Sequence, residues 1–264
     1  MSKPSNSLER VLAVLDVFSE EHLEWTPEEL MEELGYSRPT LYRYLKTLKE
    51  AGFLTSMPNT GFTLGPRIVE LDYLLRKSDR LTLNGTPYLK SLTGRYSCTA
   101  LLVRWYGDRL LCVASETSTQ RTLSSYPRGR PMPLSRGAIS RSIMAFLPRR
   151  HLIPLIERNL DDLAAVGLGT TTDDIVNQLR RVRRSGVAIA YGEVTPGVVG
   201  IAAPIFDAGQ SPIASVCITI AGNLVDGQTI ERISADIKTI GRELSDSLAR
   251  DRLDVHDDDH NLMS

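Results

Sequence analysis

Apolar residues recur at helical spacing through the first third of the chain. Residues 7–20 predict a first helix with Ser7 as its N-cap. Five apolar residues are expected on its inner face: Leu8, Val11, Leu12, Leu15 and Phe18. A second helix is predicted after Thr26, which with Glu29 forms a capping-box pattern, and Gly35 is suited to end it. The chain therefore begins with two short amphipathic helices.

A third helix is predicted after Ser37, which can serve as its N-cap. Leu41, Leu45 and Leu48 recur at i, i+4 and i+7 and define its inner face. Tyr44 lies about 60° from these leucines at 100° per residue, so it is expected to pack against the core. The opposite side carries a mostly polar set with two basic residues: Pro39, Tyr42, Arg43, Lys46 and Glu50.

Two short apolar-alternating runs flank residues 58–61, which is typical of a β-hairpin. Three helices followed by a hairpin predict a winged helix-turn-helix. Residues 67–79 then show four in-phase apolar positions, which predict a linker helix: Ile68, Leu71, Leu74 and Leu75.

From residue 97 the apolar period changes from helical to strand-like. Two β-rich runs meet at a Gly-Asp turn at 107–108, and two more, 198–206 and 213–222, flank a turn, so antiparallel pairing is expected. Helices are predicted over four segments: 137–147, 150–159, 172–185 and 226–250. The pattern indicates an α+β fold. The acidic tail, 251–264, has no apolar period and is predicted to be disordered and not to bind a metal.

Bulk composition describes a globular chain without a strong charge bias. The 264 residues are 42% hydrophobic and carry a formal net charge of -1, so any surface that binds an anion must be local. Cys98, Cys112 and Cys217 are far apart and lack a zinc-binding spacing, so buried, reduced thiols are expected. With no apolar run of spanning length, the protein is expected to be cytoplasmic.

Motifs for catalysis and cofactor binding are lacking. The patterns GxSxG, HExxH, GxGxxG and the P-loop do not occur, and only His22 and His151 lie outside the tail. No cofactor or metal is therefore expected. An enzyme that turns over a metabolite remains an alternative, with Cys217 as the candidate nucleophile.

The third helix carries the residue types that read DNA. In a helix-turn-helix the second helix of the motif enters the major groove, and arginine can pair bidentately with guanine. The segment 37–49 contains no acidic residue. The predicted DNA-binding residues are Ser37, Arg38, Thr40, Tyr42, Arg43 and Lys46, with Asn59 and Thr60 of the wing. The alternative is a solvated face of a protein-protein module.

Four stretches of the chain resemble the IclR (isocitrate lyase regulator) family of bacterial transcription factors. The stretches SLERVLAVLDVFSE and LGYSRPTLYRYLKTLKEAGFL resemble the first and recognition helices of that family. PLSRGAISRSIMAFLP resembles the family segment PLxxTAxGKAxLAFLP, and GVAIAYGEVTPGVVGIAAPIFD resembles GYAxDDEExxPGVxCIAAPVxD. The resemblance as a whole covers nearly all of residues 7–250.

The resemblance implies an N-terminal winged helix-turn-helix and a C-terminal effector domain similar to GAF or profilin folds, with an antiparallel sheet flanked by helices. On that basis residues 1–65 are expected to bind DNA, 66–80 to form a linker helix and 81–250 to sense a small molecule and oligomerise. Such proteins act as homodimers or dimers of dimers on near-palindromic operators in double-stranded DNA, and they are not enzymes. A regulator that binds DNA without a ligand is the remaining alternative.

The resemblance also implies effector-binding positions. Carried over from family members that bind small oxoacids, they fall on Gly137, Ala138, Ala190, Gly200, Cys217 and Thr219. Ala190 replaces an Asp of the family pattern and Gly200 a Cys, which implies a roomier, less polar pocket and a larger, partly apolar organic acid as effector. Four nearby arginines are candidates to pair with its carboxylate: Arg128, Arg130, Arg136 and Arg141.

Overall fold

The computed structural model describes residues 6–57, 61–120, 123–124 and 126–261, with side chains to residue 250. The chain divides into two units, Met1–Ser78 and Asp79–Ser264. The first unit contains three helices, a two-stranded hairpin and a further helix. Their bounds are α1 Ser7–Asp16, α2 Pro27–Leu34, α3 Arg38–Glu50, β1 Leu54–Met57, β2 Gly61–Leu64 and α4 Pro66–Ser78. This order confirms the predicted winged helix-turn-helix.

The helix ends of the first unit follow from local side-chain chemistry. The capping box between Thr26 and Glu29 is formed at α2, and Gly35 ends that helix in the left-handed region at φ 66°. The predicted cap of α1 was wrong by one residue. Asn6 is the N-cap, because its side-chain oxygen accepts hydrogen bonds from the backbone N–H groups of Leu8 (3.0 Å) and Glu9 (2.9 Å).

The inner face predicted for α1 was wrong in part. Val14 is the buried residue of this helix, whereas Leu8 and Leu12 are 78% and 60% exposed. Helix α4 has no buried residue at all, although its leucines recur at helical spacing. We call the exposed apolar residues of α1 and α4 the apolar stripe: Leu8, Leu12, Val69, Leu71, Tyr73, Leu74 and Leu75.

The second unit is built on one six-stranded sheet with the strand order β5-β4-β3-β8-β7-β6, antiparallel throughout. Its strands are β3 Cys98–Trp105, β4 Leu110–Thr117, β5 Pro131–Met132, β6 Ala188–Tyr191, β7 Val198–Phe206 and β8 Pro212–Ala221. Its helices are α5 Arg80–Arg95, α6 Ala138–Met144, α7 Arg149–Arg158, α8 Leu160–Ala165, α9 Thr172–Ser185 and α10 Gly227–Asn261. The α+β fold with a helix-flanked antiparallel sheet is thereby confirmed.

Helices cover both faces of this sheet, so the unit has two hydrophobic cores. One core packs under α6, α7, α8 and α9 and contains Leu101 and Cys217. The other packs under α5 and α10 and contains their sequence neighbours Leu102 and Ile218. This alternation follows from the two-residue period of a strand, which sends successive side chains to opposite faces.

Several elements differ from the sequence prediction. The short β5, β6 and α8 were missed, because two to six residues carry too little period to detect. Helix α10 was predicted to end near residue 250, with a disordered tail from 251, whereas its backbone continues to Asn261. Extending an existing helix adds one hydrogen bond per residue without the cost of a new nucleus. Within the described residues, no helix combines the length and apolar character that crossing a membrane requires.

Candidate functional site

Helix α3 presents one apolar face to the core of the first unit and one polar face to solvent. Its buried residues are Leu41, Tyr44, Leu45 and Leu48. The expectation that Tyr44 packs inward is confirmed, since its side chain is 3% exposed. Its ring meets that of Tyr36 edge to face at 5.8 Å between centroids. These contacts fix the rotation of α3 and so decide which residues it turns outward.

The outward side of α3 carries the residues predicted to read DNA. Ser37, Arg38, Tyr42, Arg43 and Lys46 are exposed and Thr40 is partly buried. Asn59 and Thr60, predicted on the wing, lie outside the described residues. The structure therefore gathers six of these residues on one helix and its N-cap.

Local contacts order part of this surface. The Arg38 guanidinium lies 5.4 Å from the centroid of the Tyr42 ring, within cation-π range. Ser37 occupies the N-cap position, but its side chain makes no capping bond, which corrects the prediction. Its hydroxyl donates instead to Thr40 Oγ1 at 3.0 Å. Lys46 lies 3.8 Å from Glu50 in an exposed i, i+4 pair, which costs little to break when a phosphate approaches.

In the second unit, a cavity lies on the α6 side of the sheet and contains about 570 Å³ of space, part of it open to solvent. All six positions that the resemblance implied line it: Gly137, Ala138, Ala190, Gly200, Cys217 and Thr219.

Strand register explains why residues so distant in sequence meet there. Ala190 of β6 pairs with Gly200 of β7, which pairs with Thr219 of β8, so the three form one row across the sheet. Cys217 lies two residues along β8 and therefore on the same face. From the other side, Ala138 at the start of α6 approaches so closely that a Cβ added at Gly200 would lie 3.6 Å from its methyl group.

Apolar side chains form most of the remaining wall: Leu101, Leu110, Leu123, Met132, Pro133, Ile139, Val194 and Val198. Polar groups come from Ser124, Ser140 and Thr195 and from the Tyr126 hydroxyl. Arg136 and Glu193 are the charged residues among those described at the wall. Of the other candidate arginines, Arg128 donates to the Val113 carbonyl and Arg130 lies 5.2 Å from the Tyr126 ring centroid. Such a wall suits a ligand with an apolar body and few polar groups.

Glu193, which the sequence reasoning missed, holds two walls of the cavity together. Its Oε1 accepts a hydrogen bond from Arg141 Nη2 at 2.5 Å, and its Oε2 accepts from the Gly137 backbone N–H at 3.0 Å. Arg141 Nη1 also donates to the Ile189 carbonyl at 3.2 Å. The pair thus links α6 to β6 and to the turn before β7. The family segment GYAxDDEE could have identified this residue, because its last Glu aligns with Glu193. Only its first Asp, which aligns with Ala190, was carried over as a site position.

The three cysteines are buried and form no disulfide, as expected. Burial raises the pKa of the Cys98 thiol to about 12 and that of Cys112 to about 11, and it raises the pKa of Cys217 further. A thiol with a raised pKa stays protonated near neutral pH and is a poor nucleophile. No His, Cys, Asp and Glu cluster able to hold a metal ion occurs among the described residues.

Family models match both parts of the chain. The IclR helix-turn-helix domain matches residues 7–58, and the model described as bacterial transcriptional regulator IclR C-terminal matches residues 78–246. The second match alone covers more than half of the 264 residues. The chain belongs to the IclR family of bacterial transcriptional regulators.

Curated relatives and solved structures agree with this assignment. This IclR-family regulator is 26% identical over 222 residues to the HTH-type transcriptional regulator KipR of Bacillus subtilis, covering 83% of this chain and 87% of that protein. It is 24% identical over 243 residues to XynR of Escherichia coli, covering 92% and 96% of the two chains. An IclR transcriptional regulator from Alicyclobacillus acidocaldarius has the same fold at TM-score 0.76 and 22% identity, over 92% of this chain and 98% of that one. An IclR homologue from Microbacterium hydrocarbonoxydans, solved with 4-hydroxybenzoate, has TM-score 0.75 at 20% identity, over 92% and 99%.

Proposed function

We propose that this regulator binds its operator through α3 and the wing and that a partly apolar organic acid in the cavity modulates this binding. The observation that carries the ligand part is the convergence of Gly137, Ala138, Ala190, Gly200, Cys217 and Thr219 on one cavity wall. In the domain scheme, residues 1–65 bind DNA, 66–80 link the domains and 81–250 hold the ligand. The regulator acts in the cytoplasm, where its DNA target is.

The chemistry of the cavity supports a medium-sized organic acid as the effector class. Ala190 and Gly200 supply no polar atom beyond their backbones, so a small, fully polar acid would leave much of the apolar wall uncovered. Arg136 brings a cation to the wall. The structural neighbour from Microbacterium hydrocarbonoxydans was solved with 4-hydroxybenzoate, which supports an aromatic acid as effector. An aromatic or similarly sized acid fits all of these features.

The proposed DNA contacts divide by chemistry. Arg38 and Arg43 can read guanine edges, and Lys46 can contact phosphate. The apolar stripe of α1 and α4 supports self-association, since pairing with a second copy would remove these exposed side chains from water. A homodimer or dimer of dimers would place two α3 helices on a near-palindromic operator.

Coupling between ligand and DNA requires that the ligand bind one conformation of the regulator better than another. We propose that α4 transmits this difference by changing the spacing of the two α3 helices in the dimer. A metabolite-converting enzyme is the less supported alternative, because its nucleophile, Cys217, is buried with a raised pKa.

A thermal-shift screen of aromatic and aliphatic carboxylic acids tests the ligand proposal. An acid present at about 100 times its dissociation constant should stabilise the regulator by about 2.7 kcal/mol. The variant Gly200→Leu should abolish this shift, since its side chain would project into the cavity. Arg43→Ala, in the other domain, should retain it. A shift that survives Gly200→Leu would place the ligand elsewhere, and accumulation of a product from the acid would favour the enzyme.

A further inference from the structure

A strongly cationic surface lies on α7 and α9 of the second unit. Six arginines contribute to it, all exposed: Arg149, Arg150, Arg180, Arg181, Arg183 and Arg184. We call this set the cationic patch. None of its members lines the cavity, and none belongs to the candidate DNA-reading surface of α3. The function proposed above therefore leaves it unexplained.

Contacts within the second unit bring the two helices together. Helices α7 and α9 pack on each other and bury their apolar sides in the same core. Arg183 Nε donates to the Ala145 carbonyl at 2.8 Å, and its guanidinium lies 5.5 Å from the Phe146 ring centroid. From Phe146 the chain leads through Pro148 directly into Arg149. The basic end of α9 therefore lies beside the segment that leads into the basic start of α7.

No acidic residue interrupts the patch along the chain. Residues 138–156 and 175–192 contain neither Asp nor Glu. At 100° per residue, the four arginines of α9 cover an arc of about 160° of that helix. Arg181 and Arg184 lie on the side opposite the buried residues Ile175 and Leu179, and Arg180 lies at the edge of that side, about 40° from the buried Val176. The result is a broad positive surface over the C-terminal half of α9, with Asp173 and Asp174 confined to its first turn.

This arrangement works against the stability of the helices that carry it. Arg149 and Arg150 occupy the first turn of α7, where the helix dipole favours acids, and that turn contains none. Arg180 and Arg184 are a like-charged i, i+4 pair on α9, a spacing that destabilises a helix. Helix α9, by contrast, has favourable charges at both ends: Asp173 and Asp174 in its first turn and Arg183 and Arg184 in its last. If these arginines served only solubility, acidic residues could lie between them, and the helices would avoid this destabilisation.

We propose that the cationic patch binds the phosphate backbone of DNA, in addition to the contacts made by α3. Arginine is suited to phosphate because its planar fork donates two parallel hydrogen bonds. The first unit holds the regulator on DNA, which raises the effective concentration of a linked second contact. These contacts are independent of base sequence, so the patch adds affinity and salt dependence without adding specificity.

Fluorescence anisotropy of the full-length regulator on a duplex of arbitrary sequence, several helical turns long, tests this proposal as salt is varied. Each phosphate contact contributes about 0.9 to the slope of log K against log salt. The variant Arg180→Gln/Arg181→Gln/Arg184→Gln should therefore reduce the slope by about 1 to 2.7. Arg149→Gln/Arg150→Gln should reduce it by about 1 to 1.8 through the other half of the patch.

A matched control removes three positive charges from α10 instead of α9. Arg232→Gln/Lys238→Gln/Arg242→Gln alters exposed positions outside the patch and should leave the slope near that of wild type. The α9 variant should also melt at about the temperature of wild type, because relief of like-charge repulsion offsets the lost interaction of Arg184 with the helix dipole. Equal slopes for patch variants and control would overturn the proposal. So would an unchanged slope with a changed oligomer mass by light scattering, which would assign the patch to a second copy of the chain.

Discussion

The ion pair between Arg141 and Glu193 is expected to be the most sensitive polar contact of the second unit. Arg141 Nη2 lies 2.5 Å from Glu193 Oε1, and each side chain is only 12% exposed. The substitution Arg141→Met leaves a nearly buried carboxylate with the Gly137 N–H as its remaining donor. Removing one partner of a buried pair typically costs 3–5 kcal/mol. We expect the lower end, about 3 kcal/mol, because that amide stays bound to the carboxylate.

The same reasoning predicts recovery in the double variant Arg141→Met/Glu193→Met. Replacing both charges with apolar side chains removes the unpaired charge, so the free energy of unfolding should return to within about 1 kcal/mol of wild type. Arg95→Met, in the same unit, is the matched control. Arg95 Nη1 lies 2.8 Å from Asp236 Oδ2, but the side chains are 47% and 28% exposed, so its loss should cost less than about 1 kcal/mol.

Urea unfolding followed by tryptophan fluorescence measures these differences. The chain has two tryptophans, Trp25 in the first unit and Trp105 in the second. A Trp25→Phe background therefore makes the signal report on the second unit, where Trp105 packs against the core under α6. If Arg141→Met costs no more than Arg95→Met, the pair is effectively solvated and the argument from burial is refuted. If the double variant loses as much free energy of unfolding as the two single variants lose together, the coupling is refuted.

Three further predictions concern other parts of the molecule. Arg43→Ala should weaken specific operator binding by about 1–3 kcal/mol and relax preference at one base position, whereas an equal loss on all sequences in a binding titration would indicate a phosphate contact. Gly200→Ala should raise the free energy of urea unfolding by up to about 1 kcal/mol, since its Cβ would lie 3.6 Å from that of Ala138. Gly241→Ala should lower it, because its Cβ would lie 2.8 Å from the Pro204 carbonyl oxygen. The cysteines should react with a disulfide reagent at pH 8 only after unfolding, since a raised pKa leaves little thiolate there, and rapid reaction of the native protein would contradict the burial of Cys217.

Local patterns predicted much of the fold. Helix α9 was predicted over the bounds that the structure gives, because the Thr171 side chain caps its start and Gly186 ends it in the left-handed region. The inner face of α3 was likewise clear, since its leucines have no alternative helical face. These features depend on residues within a few positions of one another, which is the range over which a sequence pattern acts.

Contacts between distant residues were beyond the same reasoning. Arg141 and Glu193 are 52 positions apart, and only the packing of α6 on β6 brings them together. The helical spacing of apolar residues identified the apolar face of α1. It could not show that Leu8 and Leu12 would remain exposed, because exposure depends on what packs against the helix. The cavity positions came from family resemblance, and it is the strand register that explains their convergence.

The alternation along β6, β7 and β8 separates two evolutionary pressures. Ala190, Gly200 and Cys217 face the cavity, while their sequence neighbours Ile189, Ile201 and Ile218 pack under α5 and α10. A substitution at a cavity-facing position of these strands can alter the ligand while leaving the core under α5 and α10 unchanged. A lineage of such regulators can therefore acquire new effectors by changing one face of a few strands, while the opposite face continues to hold the fold.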